Sequence, residues 1–129
     1  NLIAGNCQIA DSTQSADFLH ERAKRIQDNA NNLKTEILQI KEEYTGYKLK
    51  APKCQSALLE INDGFKMLDK ALKECISAER LGKKAQLNPK IPSLMKQINE
   101  AGNKLHNARY YMELTKERRK EVLFELKGC

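Results

Sequence analysis

Apolar residues recur along this chain at steps of three and four, and they do so in three separate runs. The first run reads Ala16, Leu19, Ala23, Ile26, Ala30, Leu33, Ile37, Ile40, Tyr44. An unbroken alternation of three and four places every member on one stripe of an α-helix. Asp11, Ser12 and Ser15 precede it and can accept from the free N–H groups of a first turn. Gly46 and the approach to Pro52 can end it. The pattern predicts a helix over about 12–46.

A second run reads Cys54, Leu58, Ile61, Phe65, Leu68, Leu72, Cys75. Pro52 stands where the start of a helix tolerates proline, and Gly82 stands where a helix can close. The predicted helix covers about 53–81. Its weak point is Asn62-Asp63-Gly64, three poor helix formers in succession. After a loop rich in lysine and proline, Ser93 can cap a third run: Leu94, Ile98, Ala101, Leu105, Ala108, Met112, Thr115, Arg119, Val122, Leu126. Thr115 and Arg119 are polar, which predicts a late seam that is only partly buried. That helix covers about 93–127.

Three long helices joined by short connections predict an all-α antiparallel bundle in one domain of 129 residues. A break near 62–64 or at Gly102 would divide it into four or more. No strand pattern, internal repeat or low-complexity stretch occurs, and no apolar run approaches the roughly 18 residues that cross a bilayer. The chain opens on Asn1-Leu2-Ile3 without an initiator Met, as a mature secreted chain does after removal of a signal.

The cysteines change the picture. Cys7, Cys54, Cys75 and Cys129 are widely spaced, with no C-x-x-C pair and only His20 and His106 as further soft ligands. That spacing argues against zinc and for two disulfides in an extracellular protein. On a continuous second helix, Cys54 and Cys75 would lie about 31 Å apart, far beyond the roughly 7 Å a disulfide allows. In an up-down-up bundle the cysteines at matching ends are Cys7 with Cys75 and Cys54 with Cys129.

The net charge of +6 is uneven: residues 1–47 sum to −2, residues 48–92 to +5 and residues 93–129 to +3. Lysines cluster in the two predicted loops, at Lys48, Lys50 and Lys53 and at Lys83, Lys84 and Lys90. Such an excess points to an acidic partner, either a protein face or an anionic glycosaminoglycan. Nucleic acid is disfavoured because aromatics do not interleave with the cations. Tyr110 and Tyr111 are adjacent, so one of them must face outward, where aromatic residues strengthen binding surfaces. Lys83, Lys84, Lys90, Tyr110 and Tyr111 are therefore the candidate binding residues.

No constellation for catalysis stands out. The two histidines are far apart, Glu42 and Glu43 point in different directions on a helix, and no phosphate loop or nucleophile motif is present. The reading is a non-enzyme without cofactor or metal.

The start "NLIAGNCQIADSTQSADFLHERA", the four wide-set cysteines and the basic balance resemble the anopheline mosquito salivary proteins of the albicin and anophensin group. That resemblance implies a secreted helical protein that blocks host defence during blood feeding. It implies inhibition of the alternative pathway of complement by binding its convertase, or alternatively of contact activation in the kallikrein–kinin system. Inhibition of platelet–collagen interaction is a further alternative, weakened by the absence of an acidic Gly-rich segment. Outside that family, a small-ligand carrier is the rival reading.

Overall fold

The computed structural model describes the backbone of residues 2–129 and the side chains of residues 16–129. Three helices follow one another: α1 (Leu2–Lys50), α2 (Gln55–Leu87) and α3 (Ile91–Lys127). The connections are residues 51–54 and 88–90, so consecutive helices run antiparallel. The all-α bundle expected from the periodicity is what forms.

All three helices are longer than predicted. α1 begins before the Asp11, Ser12 and Ser15 caps and runs past Gly46, α2 runs past Gly82, and α3 begins at Ile91 rather than Ser93. Neither the stretch at 62–64 nor Gly102 breaks a helix. Packing supplies the reason. Gly64 and Gly82 are buried at points where another helix comes close, so they serve as gaps for a neighbour and not as stop signals. A Cβ on Gly82 would stand 3.0 Å from Gln27 Cγ and 3.1 Å from the Ala23 carbonyl oxygen.

The buried seam of α2 also differs from the predicted one. It reads Ala57, Ile61, Gly64, Leu68, Ala71, Cys75, Ala78, Gly82, Ala85. Every seventh position from 57 to 85 is alanine or glycine. The larger Leu58, Phe65 and Leu72, one position later, pack against the core from its edge. Small residues let both neighbouring helices approach α2, and the bulkier side chains then close the flanks. The seam of α3 keeps the same seven-residue period through Leu94, Ala101, Ala108, Thr115 and Val122. A period of seven underlies the packing of coiled-coil bundles.

Tyr44 ties the three helices together. It projects from α1, is fully buried, and lays its ring over Gly64 of α2. Its hydroxyl donates to the Thr115 carbonyl oxygen of α3 at 2.7 Å. Tyr47 and Phe65 meet the ring edge-on, with centroids 5.4 and 6.0 Å away. Burial pushes the Tyr44 hydroxyl up to about 12, so it stays a donor. Thr115, expected at a half-open seam, is fully buried, because its own hydroxyl donates to the Tyr111 carbonyl one turn back at 2.8 Å.

Around this junction the two arginines of "KERRK" diverge to different helices. Arg118 pairs with Glu60 and Asp63 of α2, and Arg119 reaches Glu43 of α1 at 2.9 Å. At the opposite end, Asn88 organises the α2–α3 connection. Its side-chain oxygen accepts from the Lys90 N–H at 3.0 Å, and its amide donates to Ser93 Oγ and Gln97 Oε1 at 2.9 and 3.0 Å. His20 Nε2 donates to the Asn88 carbonyl at 2.7 Å, which fastens α1 to that connection.

Cys54 and Cys129 form the predicted disulfide, with Cα atoms 6.0 Å apart across a separation of 75 residues. The second predicted bridge, Cys7–Cys75, does not form: Cys75 is a free, buried thiol, and the Cys7 side chain lies outside the described residues. The reason is again the length of α2. The helix continues to Leu87, so Cys75 sits about 18 Å short of its end, within the middle of the bundle.

Two stability experiments follow from this packing. Gly64→Ala should destabilise by about 2 kcal/mol or more despite the higher helix propensity of alanine, because a Cβ there would lie 2.8 and 2.9 Å from Tyr44 Cδ2 and Cζ. Gly102→Ala meets nothing within 4 Å and should stabilise by about 0.5–1 kcal/mol. Urea denaturation of both variants measures the contrast in sign. The Cys54–Cys129 bridge closes a long loop, and replacing both residues by Ser should cost about 2–4 kcal/mol in the same assay.

Candidate binding surface

α2 carries its alanines and glycines inward, and the opposite face of the same helix is dominated by cations. Lys66, Lys70, Lys73, Arg80, Lys83 and Lys84 are all exposed and fall at helical spacings of three, four or seven on that outward side. From Lys66 to Lys84 the row extends about 27 Å. Two carboxylates border it. Asp69 is paired with Lys41 of α1 at 3.1 Å, and Glu79 is half-buried at the edge beside Arg80 and Lys83. Glu74, on the flank toward α3, is paired with Lys104 at 3.5 Å.

The outward faces of α1 and α3 are built differently. Along α1, Glu21 and Asp28 flank Arg22, Lys24 and Arg25, and along α3 Glu113, Lys116, Glu117, Lys120 and Glu121 alternate in sign. α2 as a whole is close to balanced, with six cations against Glu60, Asp63, Asp69, Glu74 and Glu79, but its cations gather on the outward face while four of those carboxylates pair with residues of α1 or α3. Of the lysines in the predicted loops, Lys83 and Lys84 belong to this row and Lys48, Lys50 and Lys53 do not.

The five candidate residues are only partly brought together. Lys83 and Lys84 stand at the far end of the α2 row, and Lys90 lies just beyond, at the cap of α3. Tyr110 and Tyr111 are about 30 Å along α3 from Lys90. They join instead the other end of the cation row, since the Lys70 ammonium lies 5.7 Å from the Tyr111 ring centroid. Tyr111 is half-buried and packs on the core, while Tyr110 is 57% exposed and meets Tyr111 edge-on at 5.6 Å. One tyrosine faces out, as their adjacency requires. Lys66, Lys70 and Lys73 were not singled out from the sequence. Their signal was legible only as a period of three and four on the polar side of the α2 seam.

Ile76 is 40% exposed in the middle of the row. It contributes to two shallow hollows of about 300 and 350 Å³, one shared with Leu72, Lys70 and Lys73 and the other with Glu79, Arg80 and Lys83. A third groove, of about 330 Å³, lies between α1 and α3, with Leu33 and Met112 beneath Asn29, Asn32, Glu36, Arg109 and Glu113. That groove is lined by polar groups. It is not the enclosed apolar space that a carrier of hydrophobic ligands requires.

Among the described residues, the free thiol is Cys75. Burial pushes its thiol up to about 11, against the opposing influence of Arg109 and Lys34. No helix of the described residues is long and apolar enough to cross a membrane.

No family model matches the chain, and comparison with characterised proteins and with solved structures yields no match. The salivary-family resemblance therefore stays an expectation from the sequence.

Cys75 should be inert in the folded protein. At pH 8 its thiolate fraction is on the order of one in a thousand, and the sulfur is covered. Alkylation by iodoacetamide, followed residue by residue through peptide mass spectrometry, should label Cys75 only at the rate of unfolding. Rapid labelling under native conditions would contradict the buried placement.

Proposed function

We propose that this chain is a secreted, non-enzymatic binding protein that inhibits host defence by occupying an acidic surface of a host plasma protein, with the convertase of the alternative complement pathway as the expected target. The observation that carries the binding part of this reading is the concentration of cations on the outward face of α2. The Cys54–Cys129 bridge supports an oxidising, extracellular setting. The identity of the target rests on the salivary-family resemblance.

The mechanism is stoichiometric occupancy. The helices are held by the Tyr44 junction and by a covalent clamp at one end, so the cationic face is preformed. Little conformational freedom is lost on association. Lysines at the rim of such a contact accelerate encounter with an acidic partner more than they tighten the final complex.

Purified protein should inhibit haemolysis by the alternative pathway in proportion to its molar ratio to the target, and leave the classical pathway intact. In a surface-plasmon-resonance measurement, Lys83→Glu with Lys84→Glu should lower the association rate by about tenfold at low salt, with a smaller change in dissociation. Inhibition confined to kallikrein–kinin activation would transfer the reading to contact activation. Inactivity in both assays would refute the host-defence reading.

A further inference from the structure

We propose that the outward face of α2, together with Tyr110 and Tyr111 of α3, is a docking surface for a sulfated glycosaminoglycan chain. This goes beyond the inhibitory reading and is independent of which plasma protein the bundle engages.

The shape of the charge distribution favours a linear polyanion. The six cations lie along one straight helix edge about 27 Å long. They fall in two groups, Lys66, Lys70 and Lys73 and then Arg80, Lys83 and Lys84, with Ile76 and Ser77 between them. A polymer with anions repeated along its length can engage both groups at once. Such a polymer needs no apolar area to bury, and Ile76 is the one exposed large apolar residue between the two groups, so the same face that steers an acidic protein by charge can hold a polyanion by charge alone.

The residue types fit sulfate esters. Five of the six cations are lysines, compact charges on flexible stems that can follow an irregular pattern of sulfation. Asp69 is paired with Lys41 and Glu74 with Lys104, which leaves Glu79, half-buried at the edge beside Arg80 and Lys83, as the carboxylate that borders the second group. At the Lys70 end, the exposed Tyr110 and the Tyr111 ring beside the Lys70 ammonium present aromatic surface next to the first cation group. Aromatic faces pack against the C–H faces of sugar rings, so the cations would hold the sulfates while a tyrosine holds the saccharide. A polynucleotide would need aromatics spaced along the row to stack successive bases, and here both tyrosines stand at one end.

The test is chromatography of the full-length folded protein on immobilised heparin, compared with a sulfopropyl matrix, and titration with heparin at varied salt. The wild type should be retained on heparin above physiological salt, about 0.15 M, and elute later there than on sulfopropyl. Lys66→Glu, Lys70→Glu and Lys73→Glu combined should weaken heparin binding at least tenfold and flatten the dependence of log affinity on log salt. Lys24→Glu, Lys120→Glu and Lys127→Glu combined make the same charge change on α1 and α3 and should have a much smaller effect. Tyr110→Ala should weaken binding severalfold without changing the salt slope, because it removes no charge. All these residues are exposed, and circular dichroism verifies that the variants remain folded.

Equal loss in the two triple variants, equal retention on both matrices, or tighter binding to single-stranded DNA or to phosphatidylserine vesicles would overturn the assignment. Because the readout needs no complement component, a negative result here leaves the inhibitory reading standing. A negative haemolysis assay likewise leaves this one standing.

Discussion

The hydroxyl of Tyr44 reaching the Thr115 carbonyl is the contact around which the bundle is arranged. A phenol can cross from α1 to α3 only if α2 yields the space between them, and Gly64 yields it. The hydrogen bond then has to be kept dry, which Tyr47 and Phe65 do from the sides. A buried hydroxyl without its partner would cost more than the bond itself contributes. Ring, glycine and carbonyl therefore form a single unit, and the register of all three helices is set where they meet. The Arg118 and Arg119 pairs and the Cys54–Cys129 bridge close the same end of the bundle.

The far end has a lighter fastening. There, Asn88 orders the short connection and His20 holds α1 to it. Ala23, Ile26, Ala85, Leu94, Ile98 and Ala101 form a second, smaller cluster beneath. Between the two ends, α2 is the central element, presenting alanine and glycine to both neighbours. Its inward economy of volume and its outward row of cations are two sides of one helix. Each follows from a different set of positions in the same heptad.

That division explains what the binding surface is. Cations on α3 alternate with carboxylates and those on α1 are flanked by them, whereas between Lys66 and Lys84 the carboxylates of α2 are Asp69 and Glu74, paired with Lys41 and Lys104, and Glu79 at the edge. Lys83 and Lys84, which read as part of a loop cluster in the linear sequence, join Lys66, Lys70, Lys73 and Arg80 on one face when the chain is wound at 3.6 residues per turn. Tyr111 joins it through Lys70, a partner 41 positions away in the chain.

By itself, the sequence determined three helices, their antiparallel order, the pairing of Cys54 with Cys129 and the presence of an unbalanced positive charge. Each of these depends on local periodicity or on counting. The tertiary structure decided what local signals could not. Gly64 and Gly82 read as breaks in isolation, yet they are gaps that another helix fills. Thr115 read as half-exposed, yet its hydroxyl is satisfied within its own turn and its carbonyl receives Tyr44. Cys75 read as the partner of Cys7 because α2 seemed to end at Gly82, and the extra turns to Leu87 leave it a buried thiol. In each case the deciding interaction lies between residues distant in sequence, where side-chain volume outweighs intrinsic propensity.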